Sequence, residues 1–237
     1  MVREEGETVG TARAPRTTRA KRESPRRKPG VKREQILEVA TEYFGRYGYE
    51  ETKWADVAAA VDIGSTALYH YFESKQHCLL VIMADAVRGF RTRFDEIVSA
   101  HEDWNEALIA LLVDGFNQTD QNVLKLRVLL VEHGRAALPR ELPREEAARA
   151  DVRALKRDLE FAYGAFFARG MQQGLIPEND PQLLARAVLG LYNSVWQWFR
   201  PGGTVALADV GRFYVERELA IIGADPALVA DRFPVLA

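Results

Sequence analysis

The run Ser65-Thr66-Ala67-Leu68-Tyr69-His70-Tyr71-Phe72 packs hydroxyls, an imidazole and phenol rings into two helical turns, directly after a tight break at Val61-Asp62-Ile63-Gly64. Ser, Thr and His side chains reach base edges, whereas a tyrosine hydroxyl or a lysine ammonium is a good partner for phosphate. A short polar helix after such a turn has the shape that enters a DNA major groove. Catalytic constellations are missing: there is no Ser/His/Asp order, no His-x-x-x-His, no glycine-rich phosphate loop and no Cys beside a base. The four histidines (His70, His77, His101, His133) and the lone Cys78 lack the paired spacings of a zinc site. The chain therefore reads as a non-enzyme with no catalytic residue, no metal and no cofactor.

The elements that must position this helix are legible around it. Ile36, Leu37, Ala40, Phe44 and Tyr47 recur at three and four residues, the period of one helix face, and Gly48 supplies the stop. Thr52 reads as the N-cap of a short helix over 53–61 whose inner face is Val57, Ala58 and Val61. Asp62 and Gly64 both tolerate positive φ at the turn. The next helix, 65–71, buries Leu68 and leaves Ser65, Thr66, Tyr69 and His70 outside. Further segments at 75–100, 104–117, 122–134, 144–173, 181–199 and 207–222 are bounded by Asp103, Pro139 and Pro143, Gly174, Asp180, Pro201-Gly202-Gly203 and Gly223. No alternating β-branched run reads as a strand. The expected fold is all-α with about nine helices and a joint near residue 90.

At 237 residues with 47% apolar content the chain can build a real core. No stretch reaches the roughly 18 uncharged apolar residues of a membrane span. A single cysteine and an N-terminus without a signal-type apolar run make a reducing cytoplasm the expected location. Charge is unevenly spread: residues 1–33 hold eleven Lys/Arg against four acids, a balance of +7, which leaves −9 for the rest of a chain totalling −2. Residues 31–77 contain five bases and eight acids, so the turn-bearing segment is itself slightly acidic. The first 29 residues, rich in Arg, Thr, Pro and Gly, cannot bury enough surface to fold alone. They read as a disordered basic arm, either laid onto DNA or a solvated extension.

The pattern Arg33…Ile36-Leu37…Ala40…Phe44…Gly48…Thr52…Val57-Ala58…Leu68-Tyr69-His-Tyr-Phe72-Glu-Ser-Lys75…Leu79-Leu80 resembles the N-terminal DNA-binding domain of the TetR/AcrR family of bacterial transcriptional regulators. The resemblance covers residues 30–90, with the helix-turn-helix at about 53–72. It implies that residues 91–237 form a helical ligand-binding and dimerisation domain whose last two long helices pair with a second subunit. It also implies that Tyr69 and Lys75 touch phosphates and that Ser65, Thr66 and His70 face the groove. Thr52 and Lys53 lie at the start of the preceding helix, whose N-terminal amides attract an anion. Four positions depart from the family pattern: Lys53 replaces a common Thr, Asp62 a turn Gly, Gly64 a capping Ser and Ala67 a Thr.

In the C-terminal half, Val152, Leu155, Leu159, Ala162 and Phe166 share one helix face, as do Leu184, Val188, Leu191, Tyr192, Val195 and Trp198 on the next helix. Such stripes serve as core or as a dimer seam. The aromatic density also suits an apolar cavity between helices, for which Phe166, Tyr192, Trp196 and Phe199 are the candidate lining residues together with Arg127. The segment Trp196-Gln-Trp198-Phe199-Arg200-Pro201-Gly202-Gly203 resembles a stretch in TetR-type repressors of lipid and sterol catabolism that respond to acyl-CoA thioesters. That resemblance implies an acyl chain among the aromatics and a cation such as Arg127, Arg135, Arg149 or Arg153 on the CoA phosphates. The other reading pairs these arginines with nearby acids, for instance Arg149 with Asp151 and Arg153 with Asp158.

The expected partners are a palindromic double-stranded DNA operator, a second copy of the chain and a small hydrophobic effector, with an acyl-CoA thioester as one candidate. The expected activity is that of a repressor released by its effector. The alternative is an architectural or adaptor protein that binds DNA through its basic arm, with no small-molecule effector.

Overall fold

The computed structural model describes residues 29–229, and all regular structure among them is helical. In chain order the helices are α1 (Pro29–Tyr47), α2 (Trp54–Ala60), α3 (Ser65–Tyr71), α4 (Lys75–Ala100), α5 (Trp104–Phe116), α6 (Asp120–Val131), α7 (Pro143–Gln172), α8 (Pro181–Trp198) and α9 (Leu207–Ile222), with single 3-10 turns at His133–Ala136 and Pro226–Val229. The expected basic arm lies outside the described residues except for its last residue, Pro29, which opens α1.

Helix boundaries follow local chemistry. Ser74, Asp103, Thr119 and Asp180 cap α4, α5, α6 and α8 by accepting backbone N–H groups with their side chains. Thr119 therefore starts α6 earlier than residue 122, and the expected 122–134 segment ends as α helix at Val131 before tightening into a 3-10 turn. Gly223 closes α9 in the left-handed conformation at φ +76°. Thr52 is not the cap of α2: Lys53 holds that position without a side-chain hydrogen bond. The Thr52 hydroxyl instead donates to Gly48 O at 2.8 Å and is buried.

Ile36, Ala40, Phe44, Val57, Ala58, Leu68 and Phe72 form the core of α1–α3. That core continues along α4, which runs unbroken past residue 90, into the bundle of α5–α9. The joint drawn near residue 90 thus falls inside a helix. α6 is wedged between the two halves: it packs on α1, α4 and α8. At the α1–α6 crossing a Cβ on Gly45 would stand 2.9 Å from the Leu124 side chain, so this approach requires glycine.

Candidate nucleic-acid interface and effector cavity

The turn before α3 is held by the backbone. Asp62 takes φ +54°, Asp62 N donates to Ala59 O at 3.1 Å and Ile63 N donates to Ala58 O at 3.0 Å. Leu68 drops into the core, and Ser65, Thr66, Tyr69 and His70 are left exposed on α3, with Lys53 exposed at the start of α2. These five residues form one accessible set on the two helices of the motif. Thr52 does not join them, because its hydroxyl is spent inside on Gly48 O.

Lys75 opens α4, but its ammonium rests over the Tyr49 ring, 4.1 Å from the centroid. Arg135 covers the same ring at 4.3 Å. Burial raises the Tyr49 hydroxyl to about 12 and lowers the Lys75 pKa, so the phenol stays neutral beneath two cations.

The link from α3 to α4 clasps the distant start of α7. One Glu73 carboxylate oxygen accepts from Arg144 N at 3.0 Å and Glu145 N at 3.1 Å, capping α7 from another part of the chain. Arg144 donates to Tyr71 O at 2.8 Å, and the Ser74 hydroxyl donates to the buried Glu145 carboxylate. His77 Nδ1 accepts from Glu73 N at 3.0 Å, and burial depresses the His77 pKa. Neither Glu73 nor Glu145 was singled out from sequence, since residues 73 and 145 carry no shared local pattern.

Helices α4 to α9 line a cavity of about 280 Å³. Its walls are largely apolar, with Phe90, Phe94, Leu112, Leu129 and Val188 among them, and Tyr163, Tyr192 and Glu218 supply polar atoms. A second pocket of about 280 Å³ adjoins it through the shared residues Phe90, Arg93, Asp114 and Gln118; Asn117, Asn122 and Lys125 make it polar. Charges at the junction are paired: Arg93 donates to Asp114 at 2.6 Å, and Arg186 meets Glu160.

Of the five candidate pocket residues only Tyr192 lines the cavity, its hydroxyl donating to Gly115 O at 2.9 Å. Phe166 is stacked on Trp104 with centroids 5.1 Å apart. Trp196 is buried against Phe116 and Tyr192, and Phe199 is buried beside Trp196. These three fill space between helices and do not line the cavity.

Arg127 is a strut. Buried on α6, it donates from Nε to Gly45 O at 3.2 Å and from Nη1 to Phe199 O at 3.0 Å, joining the end of α1 to the end of α8. Two of the other arginines considered for CoA are also committed, Arg135 to Glu132 and Glu50 and Arg149 to Glu146. The acids expected to pair with Arg149 and Arg153 are taken by α4, Asp151 by Arg88 and Asp158 by Arg91.

An all-helical chain with an exposed helix-turn-helix joined to a cavity-bearing bundle is the architecture of a ligand-binding DNA-binding regulator. Residues 36–82 match the family model of bacterial regulatory proteins of the tetR family, and residues 126–222 match the tetracyclin repressor-like C-terminal domain. The structure is similar to that of the TetR family transcriptional regulator PfmR from Thermus thermophilus, at 30% identity and a TM-score of 0.64, over 80% of this chain and 97% of that one. It is also similar to AibR in complex with isovaleryl coenzyme A and operator DNA, at 26% identity and a TM-score of 0.65, over 78% and 97%. The HTH-type transcriptional repressor KstR2 of Mycolicibacterium smegmatis is 22% identical over 79% of this chain and 88% of that protein. The chain belongs to the TetR family of DNA-binding transcriptional regulators, and is not an enzyme.

Proposed function

We propose that the protein is a homodimeric repressor that releases a palindromic operator when an acyl-CoA thioester enters the α4–α9 cavity. The observation that carries this reading is the placement of α6. Leu126, Leu129 and Leu130 of this helix line the cavity, while Arg127 and the Leu124 contact grip α1 of the DNA-binding half. A guest that displaces α6 must therefore disturb α1. The apolar cavity suits a short acyl group, and the adjoining polar pocket with Lys125, Asn117 and Asn122 suits the hydrogen-bonding arm of a coenzyme. A structure of AibR, of similar fold, holds isovaleryl coenzyme A, which supports the ligand class.

In this reading Ser65, Thr66 and His70 face the major groove, and Tyr69 and Lys53 hold phosphates. Lys75 reaches a phosphate by leaving Tyr49. Two recognition helices in a dimer must stand one helical turn of DNA apart, ~34–36 Å, and the effector acts through its different affinity for the matched and unmatched spacings. Gel-shift titration against the protein's own promoter region, with and without isovaleryl-CoA, tests the whole proposal. Tyr69→Ala is expected to weaken operator binding about tenfold or more, the worth of a charge-assisted phosphate contact. Binding that ignores sequence, or that Tyr69→Ala leaves unchanged, overturns it. Removing residues 1–28 is expected to weaken but not abolish selectivity; loss of all selective binding favours the arm-driven architectural alternative.

A further inference from the structure

α9 turns Gly211, Val215, Leu219 and Ile222 inward, and Glu218 stands on that same buried face, 1% exposed. Its Oε1 makes no hydrogen bond, and the residue forms no ion pair among the described residues. An unsatisfied buried carboxyl opposes folding, and a leucine there would pack at no such cost. What distinguishes the position is that Glu218 borders the cavity.

Its surroundings select the chemistry. From α7 comes Tyr163, from α8 Tyr192 and Asn193, and from α5 Asp114, with Phe94 of α4 and Leu112 and Val188 closing the apolar wall. The Tyr192 hydroxyl is spent on Gly115 O, and the Tyr163 hydroxyl makes no hydrogen bond among the described residues. Burial alone pushes the Glu218 carboxyl up to about 8, so near neutral pH it carries its proton and offers an O–H. The remaining acids of the cavity, Asp114 and Glu160, already face Arg93 and Arg186, which leaves Lys156 as the charge in excess. That balance disfavours a cationic guest.

We propose that Glu218, aided by Tyr163, reads an oxygen acceptor such as a ketone carbonyl carried on the apolar body of the effector. The inference rests on the cavity being the effector site, as proposed above, and extends it from a purely greasy guest to an oxygenated one. The precedent in physical terms is a site whose buried polar group is left unpaired by the analogue lacking the oxygen, a stronger source of discrimination than added apolar contact.

The test uses the full chain and cyclohexanecarbonyl-CoA, its para-keto and para-amino analogues, and the N-butylamides of the same three acids, titrated by calorimetry into wild type, Glu218→Gln and Glu218→Leu. Wild type is expected to prefer keto over plain ring by about tenfold, the worth of a hydrogen bond otherwise left unmade. Glu218→Gln, whose amide still donates, keeps the preference; Glu218→Leu loses it without a lower Tm. Equal binding of keto and plain ring, a preference that survives in Glu218→Leu, or tighter binding of the amine overturns the inference. So does a fall in Tm in both variants, which marks the carboxyl as structural. Thioesters that bind without discrimination leave the CoA reading standing and sink this one. Amides that discriminate while thioesters fail to bind do the reverse, and no binding by any probe sinks both.

Discussion

Asp62 shows how one residue can hold two conflicting demands. The turn needs positive φ, and this chain supplies an L-residue at +54° where glycine has no steric cost. The carboxylate is also exposed three residues before the recognition helix. Asp62→Gly is expected to stabilise the fold by about 0.5–1 kcal/mol and to tighten binding to any DNA, since a negative charge leaves the interface. Thermal melts and anisotropy titrations on operator and random duplex check both; a lower Tm refutes the strain argument. His77 provides the pH dependence. Its neutral ring accepts from Glu73 N, and its folded pKa lies below the ordinary 6.5. A depressed histidine pKa contributes stability that is fully present above the unfolded value and is lost as pH falls below it. Stability of the α3–α4 link should therefore decline from about pH 6.5 downward, and His77→Gln should flatten that decline in melts run as a pH series.

At the scale of elements, α6 and the start of α7 tie the bundle to the DNA-binding half. Replacing Arg127 by Met keeps the length and apolar stem but leaves Gly45 O and Phe199 O without their buried donor. A cost of roughly 1–3 kcal/mol follows from the Gly45 carbonyl losing its donor, because Phe199 O still accepts from Arg200 Nη1 at 3.1 Å. The discriminating readout is coupling: operator affinity is expected to survive while its reduction by effector shrinks by about tenfold, within the ordinary range of a coupling free energy. Unchanged effector response would show that α6 signals without the strut. The α7 clasp is a second link, because Glu73 caps a helix that contributes Lys156, Leu159 and Tyr163 to the cavity.

The whole molecule bears on the second subunit through its outer apolar faces. α8 and α9 leave Leu183, Trp198, Phe213 and Ile221 substantially exposed, the aromatic and aliphatic residues that a subunit interface covers. Light scattering is expected to give twice the chain mass at micromolar concentration, and Phe213→Glu to give monomers that lose operator binding because a single recognition helix reads only a half-site. A wild-type monomer would overturn the dimeric reading. Among the described residues no helix is long and apolar enough to cross a bilayer.

What the sequence determined by itself was set by short-range physics. Asp103, Asp180 and Gly223 end or begin helices because capping acts within a turn. Of the two turn residues that tolerate positive φ, the structure puts Asp62 there at +54° and leaves Gly64 at −70°. The outward face of α3 follows equally from Leu68 and a period of 3.6. Periodicity says that a residue is buried, not what it is buried against. Trp196 and Tyr192 sit on one helix with the same apolar pattern, yet the first fills a gap beside Phe116 and the second borders empty space. Thr52 and Arg127 look like anion binders in sequence but satisfy carbonyls four and 82 residues away. Glu218 carries no sequence signal of its own, and only the structure sets it inward beside α5, α7 and α8. A void is the sum of side chains from helices far apart in the chain, so the tertiary structure alone decided where this protein keeps room for a guest.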